Sequence, residues 1–407
     1  MDYKQIVILV GATFLTANAL LTGAGQLYYL AGVVACIPLV GYLFCRLSVG
    51  GLACERTVHD RVYDGEEVQV HLTLRHHRLL PRLGMLVEEV LPAWLEAPGP
   101  LVFYFPVLWA GRPVTVTYRV RARKRGVHLF QRVNVAVSDP VGLTQRQFAV
   151  AASGQAVVYP RPLPLAAWAP GGAVSYADAG RERLAAGQGG DFYAIREYHP
   201  GDDLRRIHWR STARRGHLAV VEFERTQAAD TLVVLDLAAG SEVGEGKLTT
   251  LETGITAAAS LLQHCLRSRA AAVLVCHDRA GWDELPVRSE GEYLQALERL
   301  AAARADGPQP LAGVLAGLDR RLLERYSAVL ITSVPDPELA PAVEQCLRAG
   351  SCTLVLVDPS QHQAGYPGEV GDFAASMRAL GALVQVIGRP EDLAGAVPPW
   401  AREGAAP

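Results

Sequence analysis

The sequence predicts a membrane-anchored multidomain chain: two transmembrane helices, then a β-sandwich, then a doubly wound α/β domain. Three observations predict it. No charged residue occurs between Lys4 and Arg46, hydrophobicity alternates with period two from Glu55 to about Tyr159, and short apolar runs alternate with helical stretches from Asp230 onward. The chain has 407 residues, half of them hydrophobic. At about 150 residues per domain it has room for two or three.

The uncharged run divides into Gln5–Leu21 and Leu27–Cys45 around Thr22-Gly23-Ala24-Gly25-Gln26. Each half has the length of a spanning helix, about 17–25 apolar residues. The uncharged, Gly-containing break suits a tight turn between antiparallel helices. Pro38 is tolerated in a span because neighbouring groups satisfy the freed carbonyl. Tyr28, Tyr29 and Tyr42 lie near the ends of the second span, where amphipathic rings favour the interface. A cleaved signal peptide ending at Ala17-Asn18-Ala19 leaves the second span unexplained and has only Lys4 in its n-region. Residues 1–47 are therefore the anchor. Lys4 before the first span, and Arg46 and Arg56 after the second, orient it with both ends in the cytoplasm. The expectation is a multi-pass protein of the cell membrane with cytoplasmic soluble domains.

Residues 48–160 read as the sandwich. Val68, Val70, Leu72 and Leu74 alternate with Gln69, His71, Thr73 and Arg75, and Val114, Val116, Tyr118, Val120 and Ala122 alternate with polar neighbours. Such alternation puts one face on a core and the other in water. Asp64-Gly65, Ala110-Gly111 and Lys124-Arg125-Gly126 supply the turns. The Arg119–Arg125 cluster reads as the solvated face of a strand, with lipid headgroup contact as the alternative. His76-His77 reads as polar surface beside a turn.

Residues 230–400 read as α/β. Thr231–Leu237, Ala272–His277, Ala328–Thr332 and Thr353–Val357 are apolar runs of the kind buried on both sheet faces. Leu248–Arg267, Glu290–Arg304, Leu311–Arg325 and Pro337–Ala349 are the intervening helices, and Leu383–Ile387 is a last strand. The Pro/Gly/Ala-rich end frays, with 401–407 a tail.

A net charge of −2 with mixed signs gives no electrostatic footprint for nucleic acid. The seven cysteines, an odd number without a Cys-x-x-Cys pair, read as reduced and mostly buried thiols.

The linker, residues 161–229, carries the most unusual composition. Pro200-Gly201 makes a turn, Asp202 or Asp203 is a helix N-cap, and Leu204, Ile207, His208 and Ser211 mark one helix face. Arg214 and Arg215 sit in the last turn, Gly216 supplies the stop, and Leu218–Glu224 alternates as a strand. Arginines interleave with aromatic and acidic residues: Arg196, Glu197, Tyr198, Gly201, Asp202, Arg205, Arg206, Trp209, Arg210 and Arg214. That composition is enriched at protein interaction hot spots, so these ten are the expected partner-binding residues. The competing reading is a clamp of surface ion pairs.

This segment resembles the signature of the family called domain of unknown function 58. The match includes Gly187, Gly189, Phe192, Arg196-Glu197-Tyr198, Gly201-Asp202, Arg205-Arg206-Ile207, Trp209 and Ala213-Arg214, with Asp191 in place of the usual Glu. Arg125-Gly126 and Asp139-Pro140-Val141-Gly142-Leu143 resemble the family's second pattern, with Val141 for Phe. The resemblance implies an α/β domain related to von Willebrand factor A domains. It also implies partnership with an AAA+ ATPase of the MoxR type in protein assembly or envelope-related processes.

Domains of that type hold Mg²⁺ through an Asp-x-Ser-x-Ser motif, but here the stretch reads Asp236-Leu237-Ala238-Ala239-Gly240, and Thr332-Ser333-Val334 replaces the usual Thr-Asp-Gly. A hard cation needs oxygen ligands that are missing, so no metal and no cofactor are expected. Gly240–Lys247 mimics a P-loop with one residue too many and two glutamates that repel phosphate. No catalytic nucleophile is nominated. The expected function is a membrane-anchored, non-enzymatic scaffold or adaptor. The alternatives are a nucleotide- or metal-dependent enzyme using Asp236 and an outward-facing adhesion domain.

Overall fold

Two uninterrupted apolar stretches fold as helices α1 (Tyr3–Thr22) and α2 (Gly25–Ser48), joined where Gly23 takes a φ of 65°. The structure, a computed structural model, describes residues 3–59, 61–78, 81–139, 141–165, 186–197, 212–214, 218–224, 230–363, 366 and 370–395. Both helices are long and apolar enough to cross a membrane. At 1.5 Å per residue they rise about 30 and 36 Å. Their buried positions are small: Ala12 and Ala19 on α1, and Ala31, Gly41, Cys45 and Ser48 on α2. Small side chains let two helices approach closely where apolar solvent supplies no hydrophobic drive. Pro38 lies inside α2 without ending it. Both helices run beyond the expected spans, because their polar ends are held by protein rather than left as fraying termini.

The chain divides into two compact units, residues 1–160 and 161–407. In the first, the period-two pattern becomes two antiparallel sheets. The four-stranded sheet orders β1 (Leu52–His59), β3 (Glu67–His76), β7 (Val114–Ala122) and β5 (Leu95–Glu96). The five-stranded sheet orders β2 (Val62–Tyr63), β9 (Gln145–Tyr159), β8 (Gly126–Ser138), β4 (Arg82–Glu89) and β6 (Val102–Leu108). Their inner faces meet in one core that includes Val68, Val70, Leu72 and Leu74 against Met85, Val87, Val133 and Val135. Arg119 and Arg123 are exposed and pair with Glu67 and Glu96 at 3.8 and 2.7 Å, as a solvated face should. Two residues depart from the sequence reading. Arg125 is buried at the turn into β8, and His76 is buried with Nε2 2.8 Å from the Leu108 carbonyl oxygen. The cause for His76 is parity: β3 runs one residue longer than the apolar alternation, and its last inward position falls on this histidine.

The loop Asp139–Thr144, which joins β8 to β9, seats the helices. The buried Asp139 carboxylate accepts from the Leu143 and Thr144 amides at 2.7 and 2.8 Å, closing the loop on itself. Gln5 of α1 donates from Nε2 to the Leu143 carbonyl at 3.0 Å, and the Cys45 thiol of α2 lies 3.4 Å from the Thr144 carbonyl. A Cβ on Gly41 would stand 2.8 Å from Asp139 Oδ2, so glycine there is what admits the carboxylate.

Between the sheets lies a charged pair. Arg56 and Glu89 meet at 2.6 Å with both side chains fully buried. Tyr118 donates to the other Glu89 oxygen, Arg56 also donates to the Ala152 carbonyl, and its guanidinium stacks 4.4 Å from the Phe130 centroid. Burial, with the Glu89 contact, pushes the Tyr118 pKa far above its usual value, so the hydroxyl remains a donor. Gly154 leaves the space: a Cβ there would lie 2.9 Å from Arg56 Cδ.

In the second unit a six-stranded sheet orders β16 (Gly281–Val287), β15 (Ala272–Asp278), β12 (Thr231–Leu235), β17 (Ser327–Thr332), β18 (Cys352–Val357) and β19 (Leu383–Ile387). All neighbours are parallel except the β15–β16 pair. One face packs on α5 (Leu311–Gly317), α6 (Arg320–Arg325), α7 (Leu339–Ala349) and α8 (Val370–Ala379). The other face takes α3 (Thr250–Arg267), whose Gly254 lies against Ile331 and Leu235. α4 (Glu290–Ala302) packs beside α3, and Tyr293 donates to the Ala259 carbonyl. The expected helix Leu311–Arg325 is broken in two: Gly317 weakens it, and Asp319 N-caps the second piece through the Arg321 amide at 3.0 Å. β16 was absent from the apolar pattern because it is a polar edge strand, where Pro286 removes no ladder bond that matters. Residues 401–407 lie outside the described residues.

The buried pair generates a prediction. Glu89→Leu strands the Arg56 charge and destabilises the full chain in detergent by about 3–5 kcal/mol, whereas Arg56→Met with Glu89→Leu recovers much of that loss. Chemical denaturation of the two variants checks it, and equal losses would refute it.

Candidate functional site

Asp236 follows the last residue of the central strand β12, next to β17. Here the strand order switches direction: the chain leaves β12 to build β15 on one side and returns to build β17 on the other. In open α/β sheets the crevice outside such a switch point, at the carboxyl ends, is where ligands bind. A cavity of about 160 Å³ opens there, lined by Asp236, Ala238 to Ser241, Pro310, Leu311, Thr332, Val334, Asp336 and Leu339. One wall is closed by a bridge between Ala238 and Gly307, where Gly307 donates to the Leu237 carbonyl at 2.8 Å and accepts from Ala239 at 2.9 Å. Only glycine fits, since a Cβ would lie 2.5 Å from the His277 carbonyl.

Both Asp236 oxygens are engaged by the protein. Thr332 Oγ1 donates to Oδ2 at 2.6 Å, and the Ala238 amide donates to Oδ1 at 3.0 Å. Burial raises the Asp236 pKa, the two hydrogen bonds oppose that rise, and the nearby Asp336 carboxylate adds to it. Asp336 is the acid that the motif comparison missed. It stands four residues past Thr332 rather than next to it, and accepts from the Glu338 amide at 2.9 Å. Two carboxylates thus reach the cavity, but the residues present do not fit an Mg²⁺ site. The Thr332 hydroxyl donates to Asp236 and accepts from the Val334 amide at 3.0 Å, and Ala238 and Gly240 offer no side-chain oxygen where the motif has serines. Among the described residues no cluster of three or more His, Cys, Asp or Glu side chains is placed to hold a metal.

The loop that mimicked a P-loop has its own shape. Gly244–Glu245 and Leu248–Thr249 pair as a small hairpin, and Thr249 caps α3 through the Glu252 amide. It wraps no anion cradle at the start of the helix.

The arginine-rich signature sits on a two-stranded ribbon. β10 (Ala186–Glu197) pairs antiparallel with β11 (Ala219–Glu224), with Arg196 opposite Val220 and Glu197 opposite Ala219. The ribbon pairs Glu197 with Ala219, so residues 198–218, which carry most of the signature, form its connection. A linker was expected here; the ribbon came from the period-breaking Gly187-Gln188-Gly189-Gly190 stretch, whose register is irregular between Gly187 and Ala194. Thr212–Arg214 are helical, and Arg214 is exposed. Tyr198, Gly201, Asp202, Arg205, Arg206, Trp209 and Arg210 lie outside the described residues. Ahead of the ribbon, residues 161–165 pack on α3: the Leu163 amide donates to Ser260 Oγ at 2.8 Å, and the Leu165 carbonyl lies 3.1 Å from His264 Nδ1.

An uncharacterized protein of Bacillus subtilis, YeaD, is 23% identical over 286 residues, covering 69% of this chain and 67% of that protein. Uncharacterized proteins of Mycobacterium bovis and Mycobacterium tuberculosis are 28% identical over 160 residues, 38% of this chain and 50% of each relative. Among solved structures, the CARDB domain of a Pyrococcus furiosus protein overlaps 26% of this chain and 86% of its own, at 13% identity and a TM-score of 0.19. A β-glucosidase from Listeria innocua overlaps 26% of this chain and 16% of its own, at 16% identity and a TM-score of 0.12. Such scores do not speak for the fold. The family model described as Protein of unknown function DUF58 matches residues 194–367, from the end of β10 through β18. Over residues 194–367, then, the chain is similar to the DUF58 family of proteins of unknown function.

Proposed function

We propose that this protein is a membrane-anchored, non-enzymatic adaptor whose α/β unit, of von Willebrand factor A type, recognises a protein partner. The hairpin spans the cell membrane and the body lies in the cytoplasm. The arginine-rich connection between β10 and β11 is the partner-binding surface, and an AAA+ ATPase of the MoxR type is the partner that the family resemblance implies. The observation that supports the reading is the setting of Asp236: each oxygen accepts a hydrogen bond from the protein, from Thr332 and from the Ala238 amide, and the serines that would join it around a cation are alanine and glycine here. Exposure of Arg214 supports the surface.

Three outcomes test this reading. Alkaline phosphatase fused after Pro407 is inactive if the body is cytoplasmic, whereas an active fusion means an outward-facing adhesion domain. Charge reversal at Arg205, Arg210 or Arg214 abolishes capture of the ATPase; Arg214→Glu, at an exposed site, changes stability by no more than about 0.5 kcal/mol. Arginine variants that melt several degrees lower instead identify a structural clamp.

The third outcome concerns Asp236. A carboxyl whose folded pKa is raised costs stability as pH rises through the window from its ordinary 3.8 up to the folded value. Asp236→Asn removes that cost, so the variant gains on the wild type as pH rises through this window, and the difference between them is constant above and below it. Neither Mg²⁺ nor Ca²⁺ at millimolar concentration raises the wild-type melting temperature. A metal-dependent rise lost in Asp236→Asn would favour an enzyme instead.

A further inference from the structure

The strand directions collect three loops at the end of the sandwich where α2 terminates. β1 leaves α2 at Leu52, which pairs with His76, so the β3–β4 loop lies at this end, and the antiparallel partners bring the β6–β7 and β8–β9 loops beside it. Two arginines of the β3–β4 connection stand against the end of the helix. Arg78 donates from Nη1 to the Leu47 carbonyl at 3.3 Å and rests on Gly50, where a Cβ would lie 2.7 Å from its Nη2. Arg82 is buried and donates from Nη2 to the Gly50 carbonyl. Its Nε and Nη1 are also buried and have no hydrogen-bond partner.

Arg82 is therefore a cation out of water, short of acceptors, with another cation beside it. Burial first and the Arg78 charge second depress its pKa, so both oppose the charged form. Among the described residues neither arginine has a carboxylate partner. The exposed Glu55, near the start of β1, pairs with Arg75 at 3.5 Å. Lys4, Arg46 and Arg112 are exposed at the same end, while the Asp139 carboxylate is buried and bonded to the amides of its own loop. Trp109, 56% exposed, projects from the β6–β7 loop.

We propose that this end of the sandwich binds the headgroups of anionic phospholipids, with the exposed Arg78 taking the phosphate and the buried Arg82 charge behind it adding to the attraction. The inference rests on the reading of α1 and α2 as membrane spans. That reading sets the occupant, because the residues that follow a span lie at headgroup depth. Guanidinium groups match phosphate oxygens in fork geometry, and basic juxtamembrane residues are drawn to an anionic leaflet. An indole favours the same interface. The Arg119–Arg125 cluster, for which the sequence offered headgroup contact as the alternative, lies elsewhere: Arg121 stands opposite Glu67 in the β3–β7 register, at the end of the sandwich away from the helices.

The full chain, purified in neutral detergent, is melted with phosphatidylglycerol or phosphatidylcholine added. Phosphatidylglycerol raises the melting temperature by several degrees, phosphatidylcholine does not, and added NaCl erodes the difference. Arg78→Gln with Arg112→Gln melts with the wild type in detergent alone but loses the phosphatidylglycerol shift, whereas Arg119→Gln with Arg121→Gln keeps it. Equal shifts from the two lipids, a shift indifferent to salt, or an equal response to inorganic phosphate would overturn the proposal. Should the double variant misfold, the lipid comparison and its salt dependence still decide. Carbonate extraction of native membranes tests the spans separately: a chain that resists extraction yet responds to both lipids alike keeps its anchor and loses the headgroup site.

Discussion

The first unit depends on a single carboxylate. Asp139 turns the β8–β9 connection into a closed loop by accepting two of its amides, and that loop is the floor on which both apolar helices end. A helical hairpin has no reason of its own to hold a fixed relation to a soluble sandwich. Here it does, because Gly41 admits the carboxylate and because Gln5 and Cys45 find carbonyl acceptors in the same six residues. The stretch that begins at Asp139, which in the sequence resembles the family's second pattern, is in this structure a mechanical joint.

The sandwich itself combines a generic core with one specific interaction. Alternating valines and leucines would pack in many registers, since apolar burial is not directional. The Arg56–Glu89–Tyr118 cluster is directional, and it links β1, β4 and β7, drawn from both sheets. Gly154 is kept small to make room for it. Such a pair adds little net stability over an apolar replacement but penalises any register that separates its members.

The α/β unit keeps the geometry of a ligand-binding fold at its switch point while redirecting the groups that would do chemistry. Asp236 is in place just past the end of the central strand, and each of its oxygens accepts a hydrogen bond from the protein, from Thr332 and from Ala238. Neighbouring alanines leave the cavity apolar over much of its wall.

The sequence by itself determined the elements, because each obeys a local rule. An uncharged stretch long enough for two spans, alternation with period two, and apolar runs buried on both faces are properties of neighbours in the chain, and the hairpin, most sandwich strands and the parallel strands follow from them. The degenerate Asp236 motif was legible too, since missing hydroxyls are missing in any fold. What only the tertiary structure decided are relations between distant residues. Asp336 reaches the cavity although it is four positions away from where a motif would put it. His76 and Arg125 are buried by strand parity and a turn, against their polarity. Arg78 and Arg82 meet the end of α2 because strand direction places the β3–β4 loop there. Burial, pairing and the convergence of loops depend on topology, and topology is set by the whole core rather than by any window of the sequence.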